Sequence, residues 1–462
     1  MESNSAAYGA SLAGAGFDPI KFIKQPQTII RFLSWVFAIV VFASITAEGY
    51  VNGSVGVQVR CVFNNNEDAC HYGLGIGVIA FLACFAFLLA DAILPSMSNA
   101  QERKYIVMAD LGFSAAWTFL WFVCFCLLAD QWLKTQNTIG IAIGAVHAII
   151  AFSFFSIGSW VSSPAEDIIM SDWRKMNRDE LELQFSPSRW SHRMSADDVI
   201  RAHVAALKAG TEKARSITQT LLDVPYGDGD GEKLDVYVPS SSSPDVPLLI
   251  YFHGGYWQFL SKDESGFLAV PLVQRGVVVV AVGYSIAPKG DMDLMVSQVR
   301  RSLVSVIQQY SHISGLYLCG HSAGAHLAAM VLSTDWTQYN ISPQIKGAFL
   351  VSGVYDLQPI LSTYVNEPLK MTEEVAIRNS PSHFLPQLTR SSASCDIVVA
   401  VAQNDSPEFR KQSEEYFKAL ESAGLKVSFE DVPNTDHFNI IEQLVDENYH
   451  LTKLLLKMMG KS

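Results

Sequence analysis

A serine stands at the centre of a short glycine-containing segment, Gly320–Gly324, with the sequence Gly-His-Ser-Ala-Gly. The apolar run Gly315–Cys319 precedes this segment, and the run Ala325–Met330, typical of a helix, follows it. Strand, G-x-S-x-G and helix together are typical of a nucleophile elbow, in which small flanking residues hold a serine hydroxyl clear of the backbone. The pattern predicts that Ser322 is the nucleophile of a hydrolase. The alternative is a structural serine in a glycine-rich turn.

A second glycine-containing segment, His253–Trp257, follows the apolar run Leu248–Phe252 upstream of the serine. In esterases such a segment supplies part of the oxyanion hole, together with the N–H group of the residue after the nucleophile. We therefore expect the backbone N–H groups of Gly254, Gly255 and Ala323 to bind an oxyanion. A glycine pair that only ends a strand is the alternative.

The acid and the base of such a site follow the serine in the order acid, then histidine. Asp405 stands just beyond the predicted strand 397–402, at the end of the strand where open α/β sheets bind ligands. His437 follows the next predicted strand, 426–431. A buried carboxylate orients the imidazole and stabilises the imidazolium that forms. We assign Asp405 as the acid and His437 as the base.

Other residues compete for these roles. Asp356 also follows a predicted strand and is the main alternative acid, whereas Asp436 is interpreted as a local hydrogen-bonding partner or a helix cap. His321 and His326 belong to the elbow and its helix, and His253 belongs to the oxyanion segment.

The chain from about residue 230 onward alternates predicted strands and helices. The strands are predicted at 234–238, 248–252, 277–283, 314–319, 346–352, 397–402 and 426–431, and the helices near 292–309, 323–333, 408–423 and 437–458. Val277–Val282 is apolar throughout, as expected of a parallel strand covered on both faces. The alternation predicts an α/β hydrolase with a doubly wound, mostly parallel sheet.

Residues 172–462 resemble the kynurenine formamidase (arylformamidase) family. The matching segments are Pro187–Trp190, Val224–Gly229, His253–Trp257, Ala287–Gly290, Leu318–Leu327, Asp405–Phe409 and Asp436–Phe438. The resemblance implies hydrolysis of N-formyl-kynurenine to kynurenine and formate, with no metal and no organic cofactor. Tyr256 and Trp257 are candidates for contact with the aromatic leaving group, or else core residues. A general carboxylesterase with another acyl substrate remains an alternative.

The first third of the chain contains four apolar runs, near 29–49, 72–94, 106–129 and 138–161. Each is long enough to cross a bilayer, provided that in the first run Arg31 and Glu48 lie at the interfaces. These runs explain a mean hydropathy of +0.20. Buried helices of a large soluble core are the alternative interpretation.

Basic residues near the runs predict the orientation of the chain in the membrane. Lys21, Lys24 and Arg31 precede the first run, and Arg103 and Lys104 lie between the second and third. Positive-inside bias therefore predicts that the N-terminus and everything after the fourth run face the cytosol.

The cysteines agree with this orientation. Cys61 and Cys70 lie in the loop assigned to the lumen, where a disulfide can persist, and we expect them to pair. Cys319 and Cys395 lie in the hydrolase half and are expected to be thiols, as are the three cysteines inside the apolar runs.

Residues 1–160 resemble the synaptogyrin family, four-span vesicle proteins of the MARVEL arrangement. The matching segments include Phe17–Pro19, Phe32–Phe37, Glu48–Tyr50, Cys61–Asn64, Asp91 and Leu128–Trp132. The family's polar cytosolic tail is missing, and the hydrolase begins in its place. The resemblance implies a vesicle-type membrane protein with no known catalytic residues. We find no paired carboxylates and no metal-ligand spacing in this part of the sequence.

These patterns predict a four-span domain at 1–161, a linker at 162–171 and a hydrolase domain at 172–462. The formal net charge of −12 lies mostly in the hydrolase half, which argues against nucleic acid as a partner. The expected partners are a small-molecule substrate and the lipid bilayer, and a homodimer formed through the hydrolase half is left open. Three alternatives stand beside a membrane-tethered enzyme: a vesicle protein with a passenger hydrolase domain, a read-through product of two neighbouring genes, and a cytosolic enzyme made separately from Met170.

Overall fold

The computed structural model describes residues 22–23, 26–52, 59–93, 100–161, 173–240, 246–310 and 312–461. These residues fall into two compact units, 22–161 and 173–461. The predicted linker, Met170, Lys21 and Lys24 lie outside the described residues, and the side chains of Arg103 and Lys104 are also outside them.

Long apolar helices and one short antiparallel strand pair build the first unit. Its elements are α1 (Pro26–Glu48), β1 (Tyr50–Asn52), β2 (Val59–Cys61), α2 (Glu67–Ile93), α3 (Ala100–Lys134) and α4 (Ile143–Val161). Each helix contains a stretch long and apolar enough to cross a membrane, of 22, 27, 27 and 19 residues in chain order. The prediction of four apolar spans is confirmed.

A cluster of charged side chains lies inside this helical unit. Arg31 of α1 donates from Nε to Asp91 Oδ2 of α2 at 3.3 Å and from Nη1 to Asp110 Oδ1 of α3 at 3.0 Å. Gln27 Nε2 donates to Asp91 Oδ1 at 2.7 Å, and Ser114 Oγ donates to Asp110 Oδ1 at 3.1 Å. Helix packing thus brings two carboxyl groups from separate helices to one arginine, an arrangement that the spacing of residues along the sequence does not show.

The contacts of Arg31 in this cluster affect its value as a guide to the orientation of the chain in the membrane. Its side chain is 4% exposed and lies near the start of α1, within the apolar stretch Gln27–Glu48. A cation paired with two carboxyl groups inside the helical unit is a poor guide to orientation, since positive-inside bias depends on charges in the flanking loops. At the other end of α1 and α2, a disulfide joins Cys61 of β2 to Cys70 in the first turn of α2.

The second unit is a sheet surrounded by helices. Its strands are β3 (Gln219–Pro225), β4 (Lys233–Val238), β5 (Val246–Phe252), β6 (Val278–Val282), β7 (Ile313–His321), β8 (Ile345–Val351), β9 (Asp396–Ala402) and β10 (Val427–Val432). Its helices are α5 (Arg178–Gln184), α6 (Ala196–Ile217), α7 (Ala269–Gln274), α8 (Met292–Gln309), α9 (Ala323–Leu332), α10 (Asn366–Leu369), α11 (Glu373–Arg378), α12 (Leu385–Ser391), α13 (Pro407–Ser422), α14 (Asn439–Glu442) and α15 (His450–Met458).

The strands form one sheet in the order β10-β9-β8-β7-β5-β6-β4-β3. Neighbours from β6 to β10 pair in parallel, and β4 and β3 add an antiparallel edge. Successive residues of a strand point to opposite faces, so Leu248 and Ile250 join one buried cluster while Leu249 and Tyr251 join another. Both faces of the sheet are covered, and the prediction of a doubly wound α/β hydrolase is confirmed.

The end of the chain differs from the prediction of one helix over 437–458. His437 lies in a loop, α14 is a single short helix, and α15 begins only at His450. Asp446 accepts the Asn448 N–H at 2.9 Å, a local hydrogen bond that competes with helix continuation. His437 precedes α14 and lies on the loop at the carboxyl end of β10. The prediction also omitted the edge strand β3 and the two helices before it.

Candidate active site

Ser322 occupies a sharp turn between β7 and α9. Its backbone angles are φ 55° and ψ −121°, which non-glycine residues rarely adopt. The Ser322 N–H donates to the Val351 carbonyl oxygen at 2.8 Å, so β8 holds the turn in place. The hydroxyl oxygen is buried and has no hydrogen-bond partner among the described residues. A strained turn of this kind presents the hydroxyl away from its own backbone.

The two glycines around Ser322 are required by close packing. A Cβ atom on Gly320 would lie 2.2 Å from the Gly324 carbonyl oxygen. A Cβ atom on Gly324 would lie 1.9 Å from the Phe252 carbonyl oxygen at the end of β5. Neither position has room for a side chain, so the motif allows β5, β7 and α9 to meet at this point.

Gly254 and Gly255 follow β5 and lie beside the serine. A Cβ atom on Gly254 would lie 3.2 Å from the Ser322 Cβ, and Gly255 has a φ of +98°. In the described part of the chain, the N–H groups of Gly254, Gly255 and Ala323 donate to no protein acceptor. Ala323 is also the first residue of α9, where the helix dipole favours negative charge. These N–H groups can stabilise an oxyanion next to Ser322.

His437 and Asp405 are in direct contact. His437 Nδ1 lies 2.6 Å from Asp405 Oδ1, and both side chains are wholly buried. Asp405 follows β9. Its side chain points back toward the end of that strand, where Oδ2 accepts the Ala402 N–H at 3.1 Å. Because Nδ1 faces the carboxylate, Nε2 is the ring nitrogen that can exchange a proton with a nucleophile.

The alternative acid, Asp356, lies elsewhere. Its Oδ1 accepts the Gln358 N–H at 3.0 Å, and among the described hydrogen bonds none joins it to His437. Asp436 accepts the N–H groups of Phe438 at 3.0 Å and of Asn439 at 2.9 Å, in keeping with its interpretation as a local partner and cap.

Ser352 is a site residue that the sequence analysis missed. Its Oγ donates to Asp405 Oδ2 at 2.5 Å, and its side chain is wholly buried. It stands directly after β8 with a φ of 46°. A serine immediately after a strand, at the sheet edge that also carries Ser322 and Asp405, was the available signal.

Three further histidines surround the elbow and are held neutral. His321 donates from Nε2 to the His437 carbonyl oxygen at 2.7 Å, and burial, helped by the adjacent His437 and His203, lowers the pKa of His321 well below its ordinary value. Burial lowers the pKa of His326 and of His253 to about 4. His253 donates from Nδ1 to the Gly254 carbonyl oxygen at 2.9 Å. Their contacts are those of structural residues, as the sequence analysis expected.

Tyr256 and Trp257 are wholly buried. The Tyr256 hydroxyl donates to the Phe185 carbonyl oxygen at 3.0 Å, and the Trp257 indole N–H donates to His326 Nδ1 at 3.2 Å. The structure therefore favours the core interpretation of both residues over contact with a leaving group. Among the described residues, no group of three or more His, Cys, Asp or Glu side chains could hold a metal ion.

Comparisons with known proteins divide the chain into the same two parts as the structure. Residues 22–163 match the MARVEL membrane-associating domain, and residues 249–440 match the alpha/beta hydrolase fold. Kynurenine formamidase of Danio rerio is 88% identical over 293 residues, which are 63% of this chain and 100% of that protein. Synaptogyrin-2 of Homo sapiens is 55% identical over 158 residues, which are 34% of this chain and 70% of that protein.

The chain belongs to the kynurenine formamidase family in its second part and to the synaptogyrin family in its first.

Further relatives agree with this assignment. Kynurenine formamidase of Salmo salar is 81% identical over 294 residues and is covered over its whole length. Among solved structures, a thioesterase candidate from Silicibacter sp. TM1040 is similar with a TM-score of 0.50 and 25% identity, over 59% of this chain and 98% of that one. Both resemblances predicted from the sequence are confirmed. The formamidase part is a full-length hydrolase domain joined to most of a synaptogyrin.

Proposed function

We propose that this protein hydrolyses N-formyl-L-kynurenine to L-kynurenine and formate, from a hydrolase domain anchored by four membrane spans. The observations that carry the proposal are the contact between His437 and Asp405 and the strained turn at Ser322, in a domain 88% identical to a full-length kynurenine formamidase. The name of these relatives, kynurenine formamidase, supports this choice of substrate.

The proposed first half-reaction transfers the formyl group to the enzyme. Ser322 Oγ attacks the formyl carbon while His437 Nε2 takes the hydroxyl proton. The oxyanion that forms accepts hydrogen bonds from the N–H groups of Gly254, Gly255 and Ala323. The carbon–nitrogen bond then breaks, and His437 returns its proton to the departing aryl amine, leaving a formyl ester on Ser322.

The second half-reaction consumes one water. His437 takes a proton from the water as its oxygen attacks the formyl ester, and the same N–H groups bind the second oxyanion. The ester bond breaks, the proton passes to Ser322 Oγ, and formate leaves. Asp405 stabilises the imidazolium at each stage. No step requires a cofactor.

Purified full-length protein in detergent tests this proposal through its choice of substrate. We expect kcat/KM for N-formyl-L-kynurenine to exceed that for aryl esters of acetate and butyrate by at least about two orders of magnitude, because formyl is the smallest acyl group and a pocket fitted to it would reject added methylene groups. Comparable or higher values for the esters would favour the general carboxylesterase instead. No turnover of either substrate class would favour a passenger domain.

We propose that the hydrolase domain faces the cytosol and begins at residue 172, after a linker at 162–171. The disulfide between Cys61 and Cys70 supports this orientation, because it joins the loop between the first two spans to the first turn of α2, and disulfides persist in oxidising compartments. After four crossings the chain is on the side opposite that loop. Cys319 and Cys395 are unpaired thiols, as expected on a reducing side.

We also propose that the hydrolase domain forms a homodimer. In the described sheet, β3 pairs only with β4 and is an edge strand. Leu221 and Leu222 on this strand are about half exposed, at 45% and 46%, and such an edge is available to another strand. Light scattering of the detergent-solubilised protein tests the proposal, and a monomer at micromolar concentration would contradict it.

A further inference from the structure

Asp436 is a buried carboxyl group next to the proposed base. Its side chain is 2% exposed and it directly precedes His437 in the chain. Burial alone would raise the pKa of Asp436, but the hydrogen bonds from Arg193 and Ser191 outweigh it and hold that pKa below its ordinary value. Asp436 is therefore a fixed negative charge one residue away from the imidazole.

Arg193 holds this carboxylate with two N–H groups. Nε lies 2.7 Å from Asp436 Oδ2, and Nη2 lies 3.2 Å from Oδ1. Ser191 Oγ adds a third hydrogen bond to Oδ2 at 2.6 Å. Two-pronged pairs between guanidinium and carboxylate are geometrically specific as well as strong. Arg193 lies before α6, far from Asp436 in the sequence and outside the region that matches the hydrolase fold.

The carboxylate of Asp436 also organises the loop that carries His437. Its Oδ1 accepts the N–H groups of Phe438 and Asn439, and Asn439 Oδ1 accepts the Asp436 N–H at 2.7 Å. The residues on both sides of His437 are thus fixed by one carboxylate. A rotation of that carboxylate would disturb the backbone that places the imidazole.

Both charged and neutral polar groups lie around His437 and its loop. Asp405 contacts Nδ1, and the neutral His321 donates to the His437 carbonyl oxygen. His203 Nδ1 lies 2.8 Å from Glu442 Oε1, and Arg193 Nη1 reaches Glu442 Oε2 at 3.4 Å. Arg193 therefore faces both Asp436 and Glu442, two carboxyl groups close to the loop.

We propose that Arg193 is a positioning residue for His437: it fixes the His437 loop through Asp436 and pairs with that carboxylate, so that no unpaired negative charge lies beside the loop that carries the imidazole. The proposal rests on the proposed hydrolase activity. Without Arg193, the Asp436 carboxylate would stabilise the imidazolium and reduce the fraction of enzyme able to activate Ser322.

The test uses the full chain in detergent and the variants Arg193→Gln, Arg193→Lys, Asp436→Asn and Arg193→Gln/Asp436→Asn. Arg201→Gln is the matched control, since Arg201 forms an exposed ion pair with Asp198 on α6. Two rates are measured against pH: kcat/KM for N-formyl-L-kynurenine, and labelling of Ser322 by a fluorophosphonate probe. The labelling rate reports on the Ser322–His437 pair whatever the acyl substrate is.

Arg193→Gln is expected to lower kcat about tenfold and to move the acid limb of both profiles upward by about half a unit to one unit. Asp436→Asn should move the limb downward, and the double variant should return it to the parental position. Arg193→Lys keeps the charge, so the limb should stay in place while kcat falls. Arg201→Gln should change neither quantity.

An acid limb that does not move in Arg193→Gln would overturn the proposal, even if kcat falls, because loss of packing alone lowers the rate without changing the charge near His437. If Arg193→Gln does not fold, Asp436→Asn becomes the deciding variant. An acid limb that does not move in Asp436→Asn would also overturn the proposal. Parent protein that is labelled at Ser322 but does not cleave N-formyl-L-kynurenine would refute the proposed substrate and still test Arg193. Parent protein that is not labelled would refute both.

Discussion

Charged groups are buried in both regions of the molecule, but their charges are balanced in different ways. In the helical region Arg31 contacts Asp91 and Asp110, and the guanidinium keeps its charge under all ordinary conditions. In the hydrolase domain the partner of buried Asp405 is His437, whose charge changes when it takes up a proton. The first arrangement can hold helices together, whereas the second can move a proton. The two arrangements therefore suit different tasks, and only the second is built to exchange a proton with a nucleophile.

The largest effect should come from removing the carboxyl group of Asp405, which contacts His437. Asp405→Asn is expected to lower kcat for N-formyl-L-kynurenine on the order of 10⁴-fold, because the amide no longer orients the imidazole correctly or stabilises the imidazolium. Asp356→Asn is the matched control and should stay within a few-fold of the parent. Steady-state kinetics of both variants decide between the two acids, and the reverse pattern would move the acid role to Asp356.

Substitutions in the cluster of Arg31, Asp91 and Asp110 should change the stability of the membrane region and leave the turnover of the hydrolase domain unchanged. Arg31→Met leaves two carboxyl groups inside the helical unit without their cation, and we expect a loss of about 3–5 kcal/mol. Lys134→Met, which removes a pair with Asp130 that is about half exposed, should cost about 1 kcal/mol or less. Unfolding of the membrane region in detergent gives both values, and the formamidase rate of the same samples should be unchanged. Equal effects of the two variants would show that Arg31 is no more important than a surface lysine.

The neutral histidines of the hydrolase domain predict how its stability depends on pH. Burial holds the pKa of His326 at about 4, whereas the unfolded chain has an ordinary pKa near 6.5. As pH falls below about 6.5 the unfolded chain takes up a proton that the folded chain refuses until about pH 4. The stability contributed by neutral His326 is thus complete above about 6.5 and is lost across this window, by at most about 3 kcal/mol.

Denaturant unfolding between pH 7 and pH 4 measures this loss. His326→Gln should flatten the pH dependence, since the glutamine amide can still accept from Trp257 and donate to the Asn379 carbonyl oxygen. His450→Gln, at a largely exposed position, is the control and should leave the pH dependence as it is. A His326→Gln variant with the parental pH dependence would contradict the assignment of a neutral buried imidazole.

Ser352 should have the smallest effect of the residues around the proposed triad. Ser352→Ala removes one hydrogen bond to Asp405 and leaves the Ala402 N–H and His437 in contact with it. Loss of one hydrogen bond to a charged group suggests about a tenfold decrease in kcat. A decrease as large as that of Asp405→Asn would mean that Ser352 determines the position of the acid by itself.

Local patterns made much of this molecule predictable. The segment Gly320–Gly324 is constrained by contacts within a few residues and with β5. The residues of the motif were therefore enough to predict the turn. The apolar runs of the spans and the all-apolar β6 were recognised for the same reason, since periodicity and length are properties of a single element. The two families were also recognisable from short motifs along the chain.

What escaped prediction depends on pairs of residues far apart in the sequence. Arg193 meets Asp436, and Arg31 meets Asp91 and Asp110, only because helices and loops pack in three dimensions. Ser352 contacts Asp405 across neighbouring strands, and no pattern within one strand shows it. The edge strand β3 was missed because it is partly exposed on both faces and lacks the clear alternation of a half-buried strand.

Turnover of N-formyl-L-kynurenine by the full chain and by its Ser322→Ala variant tests the central claim most directly. The account predicts that the parent releases equal amounts of kynurenine and formate, and that Ser322→Ala folds normally but loses several orders of magnitude in kcat. A folded Ser322→Ala variant that keeps more than about a tenth of the parental kcat would contradict the account, because triad deletions cost far more than that.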